Sequence, residues 1–470
     1  MRANGGRPVE RVEAAVWFLR FFRDPIKTMR EVYRVHGPVS AVGDIVPRPG
    51  RRPRLHAFAF GPRFNEQILG HPDRFRNTGQ TLRGPRESAQ RRIRYGLTRM
   101  TGKKHRDQRK LILPALQRGA VESYHPQMTA IVEEFLRGWH DGQRLDLWRT
   151  MRQLSLQLSS RILFGVQDPE RATRLARMIE GWGRRNFSRG VWLLPVPLPG
   201  TPYRALLDHA VRLEEEILAL IDEKRRARGP TRDALSRLVH AFDEEAGRMS
   251  NADLVGQTTI LFGASYETMV NAITWTLFLL ALHPEVLHDV TGELEAKLGG
   301  DAPSFAQLDK LPLLDAVIKE SMRLLPPVPF GIRATMHGAR LGHLDLRDGD
   351  RVIFSHFITH HMPEIYPDPE RFLPQRWFSI RPTQYEYLPF SAGPRLCVGY
   401  IFANVAMKTI LAPILQQWRI EIESGARVDP AVRVTLAPRW GLPAILHRQD
   451  HDFQASPVTG SIHAMVVLEA

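Results

Sequence analysis

Apolar residues recur at helical spacing over most of the chain. Residues 26–35, 128–139, 206–226 and 313–325 each carry apolar positions three or four apart with charged residues between them, so each is predicted to be an amphipathic helix. Residues 254–284 form a longer and more uniformly apolar run. Its only charge between Asp253 and Glu285 is Glu267, and Gln257, Thr258, Thr259, Ser265, Asn271 and Thr274 recur through it. The length would cross a bilayer; the recurrent polar positions fit a long helix through the middle of a soluble protein better. Residues 14–22 are apolar and aromatic but short, and Arg20 interrupts them, so an amphipathic N-terminal helix is expected there. Strand-like segments are confined to 39–46, 55–60, 341–346, 351–357 and 432–446, while 77–96 and the proline-rich 194–202 read as long loops. The pattern predicts a mainly α protein with a small β region near both ends.

No Gly/Ser linker, repeat or low-complexity block divides the chain, so residues 1–470 are read as one domain, ending in a tail, 449–470, with no assigned role. An apolar content of 43% over this length can bury a large core and a cofactor. The single cysteine excludes an intramolecular disulfide and fits a reducing cytoplasm. The N-terminus lacks a continuous apolar signal region. A cytoplasmic monomer is expected, with weak peripheral membrane contact through 14–22 as a minority reading and no transmembrane segment. Net charge is +15, densest between Arg83 and Lys110. No groove-reading motif or aromatic platform accompanies that stretch, so nucleic acid is not the expected partner; an acidic protein or a solvated surface is.

The lone thiol, Cys397, lies in a glycine-bracketed loop, FSAGPRLCVG, beside Arg395. A thiolate is a soft ligand able to hold a haem iron, Gly393 and Gly399 permit tight turns and close approach, and Arg395 can reach a carboxylate. The alternative is a buried structural cysteine. In KESMR, Glu320 and Arg323 stand three apart on one helix face, an arrangement common to surface pairs. His105 and Arg109 stand one turn apart in the same way. Thr268, within LFGASYETMV, can donate to the carbonyl of Ala264 and open the helix locally.

The cysteine segment resembles the FxxGxRxCxG signature of the cytochrome P450 family, with Phe390, Gly393, Arg395, Cys397 and Gly399 at every specified position. Further segments resemble family motifs in family order, covering the chain from about Asp24 to Leu446. The resemblance implies the mainly α haem-thiolate fold, with a long central helix over a haem and Cys397 as the iron ligand. It implies a structural cluster of Glu320 and Arg323 from the ExxR motif with Arg376 from PERFLPQRW, Arg376 being chosen over Arg371 by the family spacing. Ala264, Glu267 and Thr268 match the oxygen-activation segment, where Ser265 and Met269 depart from it. His105, Arg109, Arg333 and Arg395 match contacts to the haem propionates, and Gly399 lies beside the ligand. In THHMPEIYPDP, His361 and Met362 replace the usual Arg and Asp.

The implied function is monooxygenation: one atom of O2 enters a small apolar substrate, Thr268 and Glu267 passing protons. The implied cofactor is heme b (iron protoporphyrin IX), with electrons from NAD(P)H through a separate ferredoxin or flavodoxin, since no reductase domain is recognisable after Leu446. Alternatives on the same scaffold are a peroxygenase, which the Glu267–Thr268 pair disfavours, and an isomerase or dehydratase. A haem-based sensor is the non-enzymatic alternative. Substrate identity does not follow; the hydrophobic segment 191–199 suggests a greasy entrance.

Overall fold

In the computed structural model the described residues are 17, 19–43, 54–78, 81–227, 233–432 and 434–468. The organising element is the helix Asn251–Ala281, started by Ser250, whose hydroxyl accepts the Asp253 N–H. Most of its residues are buried, and the helices Leu147–Leu158, Pro202–Arg226, Pro312–Leu324 and Tyr400–Gln417 pack against it. A 110° bend separates it from Pro284–Leu298, and among the described residues no single helix is long and apolar enough to cross a membrane. Gly256 lets the chain turn at Tyr95 and Gly96 press onto this helix: a Cβ on Gly256 would lie 2.4 Å from the Tyr95 carbonyl oxygen.

A five-stranded sheet lies to one side, in the order Val39–Gly43, Leu55–Ala59, Arg351–Ser355, Phe330–Thr335, Phe75–Asn77. Only the pairing of Leu55–Ala59 with Arg351–Ser355 is parallel. A second sheet joins Arg144–Asp146, Pro443–Arg448 and Trp418–Ile422, and among the described residues there are also two small two-stranded sheets.

Several expected boundaries move for local reasons. The helix predicted at 128–139 runs Arg118–Leu136, continuing through Pro126. Residues 341–346 are not one strand: Gly342, at φ +58°, turns the chain between Ala339–Leu341 and Leu344–Leu346. The strand at 351 stops at Ser355, whose hydroxyl accepts the Ile358 N–H and starts the helix His356–His360. The run 432–446 breaks into Pro430–Val432, Leu436–Pro438 and Pro443–Arg448. Within 77–96 a short helix, Ala89–Ile93, forms on the Ser88 cap. Phe330–Thr335 and Trp418–Ile422 are strands that alternation did not reveal. Of the segment 14–22, residues 17 and 19–22 are helical, and the others lie outside the described residues, as do 44–46.

Candidate active site

Cys397 sits two residues before the N-cap of Tyr400–Gln417, where helix amides favour negative charge. Its own N–H donates to the Phe390 carbonyl at 2.9 Å, closing the loop. Gly393 is required twice over: its φ is +64°, and a Cβ would lie 2.7 Å from the Leu69 carbonyl oxygen. A Cβ on Gly399 would sit 3.9 Å from the Cys397 sulfur, an ordinary contact, so Gly399 lies beside the sulfur without being sterically required. Cys397 is accessible, yet protein crowds the sulfur enough that burial pushes its thiol upward. The Gly399 amide and Arg109 pull the other way.

Four basic groups lie close to one another here, and of them Arg109 acts on the sulfur. His105 and Arg109 project from Gly102–Ile112, Arg333 from Phe330–Thr335, and Arg395 from the cysteine loop itself. Arg395 donates to the carbonyls of Met100 (2.7 Å) and Leu97 (3.4 Å), tying the loop to the turn before the His105 helix. Burial, then Arg395, holds the His105 imidazole down to about 4, so it is neutral near pH 7. Burial followed by a neighbouring arginine lowers Arg333 and Arg395 to about 10 each. Burial also lowers Arg109, opposed by the Cys397 sulfur. Among the described residues none of these three arginines has an ion pair with a carboxylate; Arg333 lies over the Phe354 ring at 5.1 Å. Crowded, partly desolvated cations without acidic partners form an anion site.

On the central helix, Thr268 Oγ1 donates to Ala264 O at 2.7 Å. Ser265 turns away, donating to Phe262 O and to Ser159 Oγ (3.1 and 3.2 Å). Met269 is buried, so neither departure from the family pattern occupies the Ala264–Thr268 surface. Glu267 is half-buried and accepts from Thr435 Oγ1 at 2.8 Å, 168 residues away. No local signal announces Thr435. Nor does one announce the amide chain in which Gln257 accepts from Leu97 N–H (2.9 Å) and donates to Gln108 (3.0 Å). That chain links the central helix to the His105 helix.

Glu320, Arg323 and Arg376 come together in one buried cluster. Glu320 Oε1 accepts from Arg323 Nη2 and Arg376 Nε at 2.9 Å and from Leu373 N–H at 3.1 Å. Its Oε2 accepts from Arg323 Nε and Trp377 Nε1, both at 2.9 Å. Arg371 contributes only its carbonyl, to Arg323 Nη2 at 3.1 Å. His360 accepts the Leu388 N–H on Nε2 (2.8 Å), which leaves Nδ1 to donate to Arg323 O (3.2 Å). The cluster is thereby joined to the strand of chain that enters the cysteine loop.

The sequence matches the cytochrome P450 family model across residues 46–438. The chain belongs to the cytochrome P450 family. It is 30% identical to the cyclooctat-9-en-7-ol 5-monooxygenase of Streptomyces melanosporofaciens over 393 residues, 81% of this chain and 83% of that one. It is 30% identical to the pentalenene oxygenase of Streptomyces avermitilis over 352 residues, 73% and 77% of the two chains. The solved structure of retinoic acid-bound cyanobacterial CYP120A1 superposes with a TM-score of 0.78 at 25% identity, covering 91% of this chain and 96% of that one. This P450 is an oxidoreductase of the monooxygenase class, using haem and O2. The donor set fits that cofactor: one soft thiol for iron, and cations without acidic partners among the described residues for its carboxylates.

A cavity of about 630 Å³ lies beside the Arg333 strand, lined by Trp17, Phe21, Phe187, Trp192, Phe330 and Ile332 among others. Neither Cys397 nor Thr268 lines it, so it is distinct from the surface where the thiol lies. The segment at 191–199 forms part of its wall through Trp192 and Leu193, while Leu198 is 61% exposed.

The basic stretch 83–110 is only partly a free surface. Arg92 pairs with Glu214, Lys103 with Asp107, Lys104 with Asp253 and Lys110 with Glu245. Arg94 and Arg99 donate to Thr81. Arg106 is exposed.

Proposed function

We propose that this P450 hydroxylates or epoxidises an apolar, terpenoid-like alkene, with Cys397 as iron ligand and His105, Arg109, Arg333 and Arg395 around the haem carboxylates. The observation that carries the reading is the lone thiol set against three arginines that have no acidic partner among the described residues. Bound haem supplies the redox-active iron at which O2 is reduced and one oxygen atom is transferred. The chain's residues do the rest. Gly399 and the helix N-terminus favour a negative sulfur, and Ala264 leaves room on the central helix. The Thr268 hydroxyl, bonded to Ala264 O, holds a proton donor at the helix surface. Glu267, which accepts from Thr435, is in this reading the carboxylate that resupplies the proton.

The substrate class rests on relatives whose names denote an alkenol and an alkene; the separate aromatic-walled cavity beside the Arg333 strand is compatible with an apolar molecule reaching this side of the fold. Cavities of several hundred Å³ with predominantly apolar walls suit molecules of this size. A compound library scored by substrate-induced spin shift tests it. Terpenoid alkenes should shift the spectrum; a response confined to polar or charged compounds would overturn the assignment.

Thr268→Ala should preserve substrate binding and electron consumption, because the lost hydroxyl touches neither. Product formed per NAD(P)H consumed should fall severalfold, with more hydrogen peroxide released. Coupling equal to wild type would remove Thr268 from proton delivery. Peroxide-supported turnover without a reductase would instead favour a peroxygenase.

A cytoplasmic location and a ferredoxin- or flavodoxin-type donor complete the proposal. An acidic donor docking beside Arg106 should reduce the protein more slowly as salt rises, because the Debye length shrinks from about 8 Å to about 3 Å between 0.15 and 1 M. Arg106→Glu should weaken donor binding and spare substrate binding. Salt-independent reduction with several donors would leave the basic face without this role.

A further inference from the structure

The C-terminal tail lies beyond the matched residues 46–438, and its last part, 457–467, is bound into the fold at two places. At its first attachment Gly425 N–H donates to Pro457 O, Val428 N–H to Thr459 O and Thr459 N–H to Ala426 O, at 2.7–2.9 Å. Ser461 N–H caps this end on Asp429 Oδ1 at 2.8 Å. Ile462 and Val466 then bury themselves completely or nearly so. At its second attachment Val467 N–H donates to Glu370 O at 2.9 Å, and Val467 pairs with Arg371 as a parallel bridge. Two further groups secure this end. Arg30 donates to the Ala464 carbonyl and reaches Glu370 Oε1 at 3.4 Å, while the His283 ring contacts Val467 O at 3.3 Å.

The gripped backbone is the one that seats Arg323. Arg323 donates to Pro369 O at 2.7 Å and to Arg371 O at 3.1 Å, the residues on either side of Glu370. The same end of the tail covers the departure at His361. That ring stacks on Phe357 at 4.0 Å, and Phe357 carries the Arg30 guanidinium on its face at 5.1 Å.

We propose that residues 457–467 are a positioning strap: by holding the Glu370–Arg371 backbone they fix the carbonyls around Arg323, and through Arg323 and His360 the approach to the Cys397 loop. Cutting one bond, Val467 N–H to Glu370 O, tests it. Val467→Pro removes the donor and Val467→Ala keeps it; a chain ending at Ala455 removes the whole strap.

One readout needs no haem. Hydrogen exchange of the 369–377 backbone should speed up roughly fivefold or more in Val467→Pro and stay near wild type in Val467→Ala, in line with loss of a single net hydrogen bond. Unchanged protection in Val467→Pro overturns the proposal, even if the truncated chain fails to fold. The second readout rests on the haem-thiolate reading. The reduced carbonyl complex of folded Val467→Pro holoprotein should show less of the thiolate-type Soret band than wild type and Val467→Ala. A full thiolate band in Val467→Pro, with lowered thermal stability alone, would make the strap merely a global stabiliser and overturn the positioning role. Absence of the band in wild type would count against the haem-thiolate reading, and exchange would still decide the strap.

Discussion

Glu320→Gln should yield little haem-loaded protein, and what folds should be destabilised by roughly 3–5 kcal/mol, the range for breaking a buried ion pair. The carboxylate is fully buried and accepts five hydrogen bonds, from Arg323, Arg376, Leu373 and Trp377. An amide keeps one accepting oxygen. Its NH2 must face the donors at the other end, either Arg323 Nε with Trp377 Nε1 or the three groups on Oε1. Two guanidinium groups then lose the anion they share, and beyond the one amide oxygen their acceptors there are backbone carbonyls. Arg323 has those of His360, Pro369 and Arg371; Arg376 has those of Pro367 and Asp368. Carbonyl dipoles do not replace a full charge. The check is haem content per polypeptide together with thermal melting. A stable holoprotein with wild-type haem content would show that the cluster does not hold the cysteine loop.

Local spacing made half of the cluster legible; Arg376, 56 residues from Glu320, was reached only through the family motif. Glu320 and Arg323 lie three apart on a strong helix, and the family spacing singles out Arg376 over Arg371. The structure shows a physical difference between those two: the Arg376 guanidinium reaches Glu320, whereas Arg371 offers its backbone. Trp377 carried a weaker signal, being adjacent to Arg376. Other partners carried none. Thr435 meets Glu267 across 168 residues, Gln257 meets Gln108 across 149, and Val467 meets Glu370 from the far end of the chain. Such contacts depend on tertiary packing, which periodicity does not encode.

The same distinction explains the β structure. Long amphipathic helices announce themselves over many residues, and Pro202–Arg226 and Pro312–Leu324 fall close to expectation. Phe330–Thr335 has six residues including Gly331 and Arg333, and its pairing on both sides with distant strands defines it. Gly331 is set by that pairing: a Cβ there would lie 2.3 Å from the Phe354 ring. The sequence around Arg333 marked the arginine but not the strand that delivers it. The tail illustrates the same limit. Its mixed composition suggested no element, yet Ile462 and Val466 belong to the same buried cluster as Ile26, Met29 and Val428, residues far from them in the sequence.

The second large effect is expected from Cys397→Ser. A hydroxyl is a hard, weakly acidic group, and the environment that burial already makes unfavourable for a thiolate is more so for an alkoxide. The fold around position 397 should survive, because Gly393, the Phe390–Cys397 backbone bond and the Arg395 contacts do not use the sulfur. Haem should be weakly retained, and monooxygenase turnover should be lost. Arg109, Arg333 and Arg395 would still offer charge to the haem carboxylates, so residual haem binding in the variant is compatible with this outcome.

The most direct measurement is the absorption spectrum of the reduced carbonyl complex, taken on wild type and Cys397→Ser at matched haem content. Wild type should show the thiolate-type Soret band and the variant should not. The same band in both proteins would mean that Cys397 does not hold the iron, and the assignment of this site would fall with it.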